Sequence, residues 1–172
     1  MIKSWIEKTI IGLDLCPFTR KPYLEGKISI DELTGNNPTD SRQNFLHSLN
    51  KFQSQKQFET TILAFPQWKI SFKDFYDFTE DCSEQLVDLK LADEFQLVAF
   101  HPGFCFEGLK VSDRANLINS SPYPIIHILR TIDLDLINLS VEEAESMSLG
   151  NGKKLEMLND AELKDHFPWR TS

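Results

Sequence analysis

The sequence predicts an α/β fold: a single domain over residues 1–172, built on a short, mostly parallel sheet of three to four strands flanked by helices. Two β-prone apolar runs, Thr60 to Phe65 and Phe95 to Phe100, read as strands, the first of them buried on both faces. Between them, from Ser71 to about Leu91, Phe75, Phe78, Cys82, Leu86 and Leu89 fall on one helical stripe, with acids on the neighbouring one. Strands separated by amphipathic helices imply βαβ crossovers, and 172 residues suffice for one core.

Taken in order, Ser4 with Glu7 reads as a capping box opening a helix over about residues 5 to 15, ended at Cys16-Pro17 because the residue before proline leaves the helical region. Lys27-Ile28-Ser29-Ile30-Asp31 alternates as a short strand. After Gly35-Asn36-Asn37-Pro38, Asp40 is read as the N-cap of a helix carrying Phe45, Leu46, Leu49 and Phe52, with His47 toward solvent. Residues 102 to 122 form a long loop, and Pro124 suits the first turn of a helix from Ile125 to about Ile132, on which Tyr123, His127 and Arg130 share a face. Ser140 with Glu143 suggests a further capped helix, Gly150-Asn151-Gly152 a turn, and Lys153 to Lys164 a last helix.

Composition narrows the function classes. A net charge of −8, from 18 Lys plus Arg against 26 Asp plus Glu, offers no basic footprint for nucleic acid. No apolar run approaches the ~18 residues that would cross a bilayer, and charges interrupt the N-terminal segment, so a soluble cytoplasmic protein with no membrane partner is expected. Cys16, Cys82 and Cys105 are widely spaced and odd in number, which fits reduced thiols, with Cys82 in the core. The acidic stripe beside Cys82 reads as a solvated face.

Reactive and hydrogen-bonding groups concentrate between His101 and Arg130. His101 leaves the carboxyl end of a strand, where ligands bind in open α/β sheets. Asp113, Asn116, Asn119 and Ser121 occupy the long loop, and Tyr123, His127 and Arg130 follow.

Leu15-Cys16-Pro17-Phe18, Phe100-His101-Pro102-Gly103-Phe104-Cys105-Phe106 and Ser121 through Arg130, in this order, resemble a bacterial family catalogued as domain of unknown function 1415. The resemblance covers most of the chain and implies a location rather than an activity. It points to Cys16, His101, Asp113, Asn119, Ser121, Tyr123, His127 and Arg130. The family pattern carries an arginine where this chain has Ser120, which weakens an anion clamp there, and Thr19 replaces a small apolar residue.

Three chemistries compete. Cys16 as nucleophile, with His101 or His127 as base and Asp113 or Asn119 orienting it, makes a hydrolase or transferase acting on a small molecule. Cys16, His101 and His127, with Asp113, could instead hold a metal such as zinc. A third reading is a non-catalytic module in which Asn116, Asn119, Ser121, Tyr123 and Arg130 help cradle a small ligand or peptide. Against all three stands the plain reading of satisfied half-buried histidines and turn residues. The sequence names no substrate, cofactor or oligomeric state.

Overall fold

The structure is a computed structural model that describes residues 1–16, 19–131 and 141–170, without the side chains of 141–148. Ile132, Ser140 and Pro17, invoked above as a helix end, an N-cap and a helix stop, lie outside the described residues. Four strands form one sheet: β1 (Ile28–Glu32), β2 (Thr60–Ala64), β3 (Phe95–Phe100) and β4 (Ile125–Arg130), in the order β1-β2-β4-β3. The class is α/β, but the sheet is mixed. β1 and β2 run parallel, whereas β4 runs antiparallel to both β2 and β3.

The helix expected over Ile125 to Ile132 is therefore corrected to a central strand. Ile125-Ile126-His127-Ile128 is rich in β-branched residues, whose stiff side chains suit a pleated surface. Pro124 ends the loop instead of opening a helix, and its carbonyl accepts the Phe65 N–H. The reversal of direction has a local cause. The chain leaves β3 at His101, and the His101 N–H bonds back to the Asn119 carbonyl, so the loop re-enters the sheet at the edge it left. A chain returning without crossing the sheet can only pair antiparallel.

Helices cover both faces. Between β1 and β2 runs α3 (Pro38–Ser54), and between β2 and β3 runs α4 (Phe72–Asp88). Both pack on one face, where Phe45, Leu49, Phe52, Phe75, Phe78, Cys82 and Leu86 meet Leu63, Phe65, Ala99, Ile126 and Ile128. On the other face Ile62, Ala64 and Ile125 meet Trp5, Ile6, Ile10, Leu117, Leu155 and Phe167. The strand residues of the two clusters alternate in sequence, as period two requires. Short α2 (Arg20–Leu24) precedes β1, and α5 (Val141–Met157) and α6 (Asp160–His166) complete the second face.

Helix starts differ from the expected ones by their caps. Asn37, not Asp40, caps α3: its Oδ1 accepts the Asp40 N–H, and Pro38 follows in the first turn. Ser71 caps α4 as its sequence suggests. Ser4 and Glu7 form no capping box, because the helix starts earlier, as α1 (Ile2–Ser4), and continues into a π-helical stretch, Trp5–Ile11. Glu7 instead accepts a hydrogen bond from the Tyr23 hydroxyl at 2.6 Å. The Gly150-Asn151-Gly152 turn is also corrected: all three lie within α5, where buried Asn151 donates to the Leu15 carbonyl at 2.7 Å. The single last helix is two, broken at Asn159, which makes a full capping box with Glu162. No described helix is long and apolar enough to cross a membrane.

Arg130 ends β4 on the α3/α4 face, buried to 7% exposure. Its guanidinium donates to the Phe52 and Phe58 carbonyls and to Glu94, and lies 4.2 Å from the Phe52 ring centroid. Removing the guanidinium takes away these bonds and the stacking on Phe52, although the Phe52 carbonyl keeps the Gln55 N–H. Arg130→Met is expected to destabilise the fold by about 3 kcal/mol, read from the urea midpoint. An unchanged midpoint would contradict this structural role.

Candidate functional site

Beneath the N-terminal helix the second face leaves a cavity of about 180 Å³. Trp5, Ile6 and Ile10 of the π-helical stretch, Leu15, Ile28, Ile62, Phe100, Ile118 and Leu129 make its apolar wall, and Cys16, Thr19, Thr60, Asn119 and His127 supply its polar groups. The helix is held over the sheet by specific bonds. Trp5 Nε1 donates to the Ser120 carbonyl at 3.1 Å, and Thr9 Oγ1 to the His166 carbonyl at 2.8 Å. Gly12 ends the helix where any Cβ would collide with the Lys8 carbonyl oxygen, and Asp14 at φ 51° turns the chain toward Cys16. Helical π winding is frequent at functional sites.

His127 sits in mid-strand, opposite Ile62 of β2 and Val98 of β3. Its Nε2 is 2.5 Å from Thr60 Oγ1, whose own hydroxyl donates to the Ile128 carbonyl at 2.7 Å. That hydroxyl hydrogen is committed, so the imidazole supplies the proton of the Thr60 bond. Nδ1 then carries a lone pair, and it has no hydrogen-bond partner among the described residues. Burial pushes the imidazole pKa down to about 4, which keeps it neutral at pH 7.

His101 has a different setting. It packs on the α4 face against Phe72 and Phe75, and both ring nitrogens are engaged: Nε2 donates to the Ile70 carbonyl at 3.2 Å, and Nδ1 accepts the Gly103 N–H at 2.9 Å. Burial and, to a lesser extent, the charge of Arg170 lower its pKa, against the raising effect of the Ile70 carbonyl. The two histidines thus lie on opposite faces of the sheet, and only His127 shares the cavity with Cys16. Among the described residues no group of three or more His, Cys, Asp or Glu is placed to hold a metal ion, so Cys16, His101, His127 and Asp113 do not meet as a ligand set.

The remaining residues singled out by the sequence are spread over the scaffold. Asp113 caps the 3₁₀ turn Arg114–Asn119 by accepting the Ala115 N–H. Asn116 is fully buried and ties the loop together, donating to Lys110 and accepting from Phe106. Asn119 lines the cavity, with Nδ2 donating to the Ala99 carbonyl at 3.2 Å. Ser121 Oγ donates to the Tyr123 carbonyl, half-buried Tyr123 packs in the second core, and Arg130 closes the opposite face. Tyr123, His127 and Arg130 do not share a face, because strand alternation replaces the helical spacing. Thr60 was missed: its contact with His127 requires the β2–β4 register, for which the sequence carries no local signal.

The family model described as "Protein of unknown function (DUF1415)" matches residues 1–165 of the 172-residue chain. The chain belongs to that family. No curated protein and no solved structure matches it. Where the DUF1415 pattern resembled above has an arginine, Ser120 is buried, its carbonyl taking Trp5 and its hydroxyl taking Trp169 Nε1 at 2.9 Å. That position serves here as an acceptor for two indoles.

The electrostatics of His127 give a pH dependence of defined sign. The unfolded imidazole titrates near 6.5 and the folded one near 4, so between these values the unfolded chain binds the extra proton. Stability is therefore complete above about pH 6.5 and falls as pH drops toward 4, by up to about 3 kcal/mol from this group. In an NMR titration the His127 ring should remain neutral at pH 5.5. A midpoint near 6.5 would contradict the desolvation of its ring.

Proposed function

We propose that the protein binds a small uncharged molecule, about one ring in size, in the cavity between the N-terminal helix and the sheet. The observation that carries this reading is the wall itself: a largely apolar space of about 180 Å³ with a few converging polar groups and, among the described residues, no Asp, Glu, Lys or Arg lining it. A dry cavity of about 150 Å³ already accommodates benzene. A charged ligand would lose its hydration there and gain no counter-charge.

A second reading makes Cys16 a nucleophile and His127 its base, in a hydrolase or transferase. The shared cavity favours it. Two features speak against it. An imidazole with a pKa of about 4 is a weak proton acceptor at neutral pH, and among the described residues no carboxylate lines the wall to hold an imidazolium.

Neutral one-ring compounds at ten times their Kd should stabilise the fold by about 1.4 kcal/mol, raising Tm by about 3–6 °C. Leu129→Trp, which fills the cavity, should abolish that rise, and bound compound should slow alkylation of Cys16 by iodoacetamide more than that of Cys105. If no neutral compound shifts Tm, the binding reading fails. Rapid alkylation of Cys16 with a midpoint well below the ~8.5 of a free thiol would favour the nucleophile instead.

A further inference from the structure

We infer that the occupant of this cavity is a hydrogen-bond donor, a neutral hydroxyl or N–H compound of the phenol type, received by Nδ1 of His127. The inference rests on the cavity being a ligand site and adds the polarity of the ligand.

Thr60 stands at the start of β2, opposite Leu129 of β4, so its side chain lies beside the Ile128 peptide. Its Oγ1 gives its hydrogen to the Ile128 carbonyl at 2.7 Å, and its branched side chain restricts rotation away from that bond. Thr60 can therefore meet His127 only as an acceptor, which fixes the proton on Nε2. The fixed backbone carbonyl at the end of this relay makes Nδ1 an acceptor.

The other polar groups do not reverse this bias. Asn119 gives one of its two N–H donors to the Ala99 carbonyl and keeps Oδ1 as an acceptor, the Cys16 thiol is a weak donor, and the Thr19 hydroxyl can take either part. Among the described residues no Lys or Arg lines the wall to receive a carboxylate or phosphate. An apolar ligand of the same shape would leave the Nδ1 lone pair facing hydrocarbon. Sites built to bond a ligand hydroxyl reject the analogue lacking it for this reason.

Phenol and toluene separate the two levels of the argument, because they share a shape and differ in the donor. Titrated by NMR into the full chain at pH 7, phenol should bind about tenfold tighter than toluene although toluene is the more apolar, and benzoate should not bind. Thr60→Val, which frees the imidazole to change tautomer, should bring the phenol-to-toluene ratio toward one. In the unaltered protein, ¹⁵N shifts of the His127 ring should report the Nε2–H tautomer, a readout that survives if Thr60→Val does not fold. Toluene binding as tightly as phenol would overturn the donor inference and leave the cavity reading standing. Saturable binding of neither compound would overturn both. An Nδ1–H tautomer, or a ratio unchanged by Thr60→Val, would overturn the assignment to His127.

Discussion

The structure turns on the antiparallel insertion of β4 between β2 and β3. A strand bonded on both sides has no freedom of register, and a slip of one residue would exchange its two faces. Strict alternation therefore sends Ile126, Ile128 and Arg130 into the core under α3 and α4, and Ile125, His127 and Leu129 toward the N-terminal helix. A polar group in mid-strand is thereby held against Thr60 of the neighbouring strand, and a cation at the strand end is locked between Phe52 and Phe95. Both are consequences of one register.

The same alternation separates residues that sequence proximity had grouped together. His101 occupies the carboxyl end of β3, the position at which open α/β sheets commonly bind ligands, yet its ring fastens the strand exit to the segment before α4. Both of its nitrogens are consumed by backbone groups. Among the described residues His127 keeps one nitrogen unengaged, and none of those lining its wall is charged. The unused acceptor, rather than the position of the strand end, distinguishes the two histidines.

Much of the scaffold was legible in the sequence. β2, β3 and α4 stand within a residue or a few of their expected places because long apolar runs and a 3.6-residue stripe are strong signals, and the Ser71 cap was readable from its spacing. β4 was not. Pro124 before an apolar run suits a helix start and a strand start equally, and only the return of the loop through the His101–Asn119 bond decides between them. Gly150 and Gly152 misled in the opposite direction, since glycine propensity is overridden by the inward bond of Asn151. For the site, Cys16 and His127 could be named from residue type, while Thr60 and the helix that roofs the cavity emerge only from register and packing.

The space beneath the N-terminal helix is a largely apolar, ligand-sized cavity. Its most direct test is a crystal structure of the protein under xenon pressure, because xenon enters empty apolar cavities and scatters strongly. A xenon peak enclosed by Trp5, Ile62 and Leu129 is expected. A site filled by side chains, with no xenon among those residues, would contradict it.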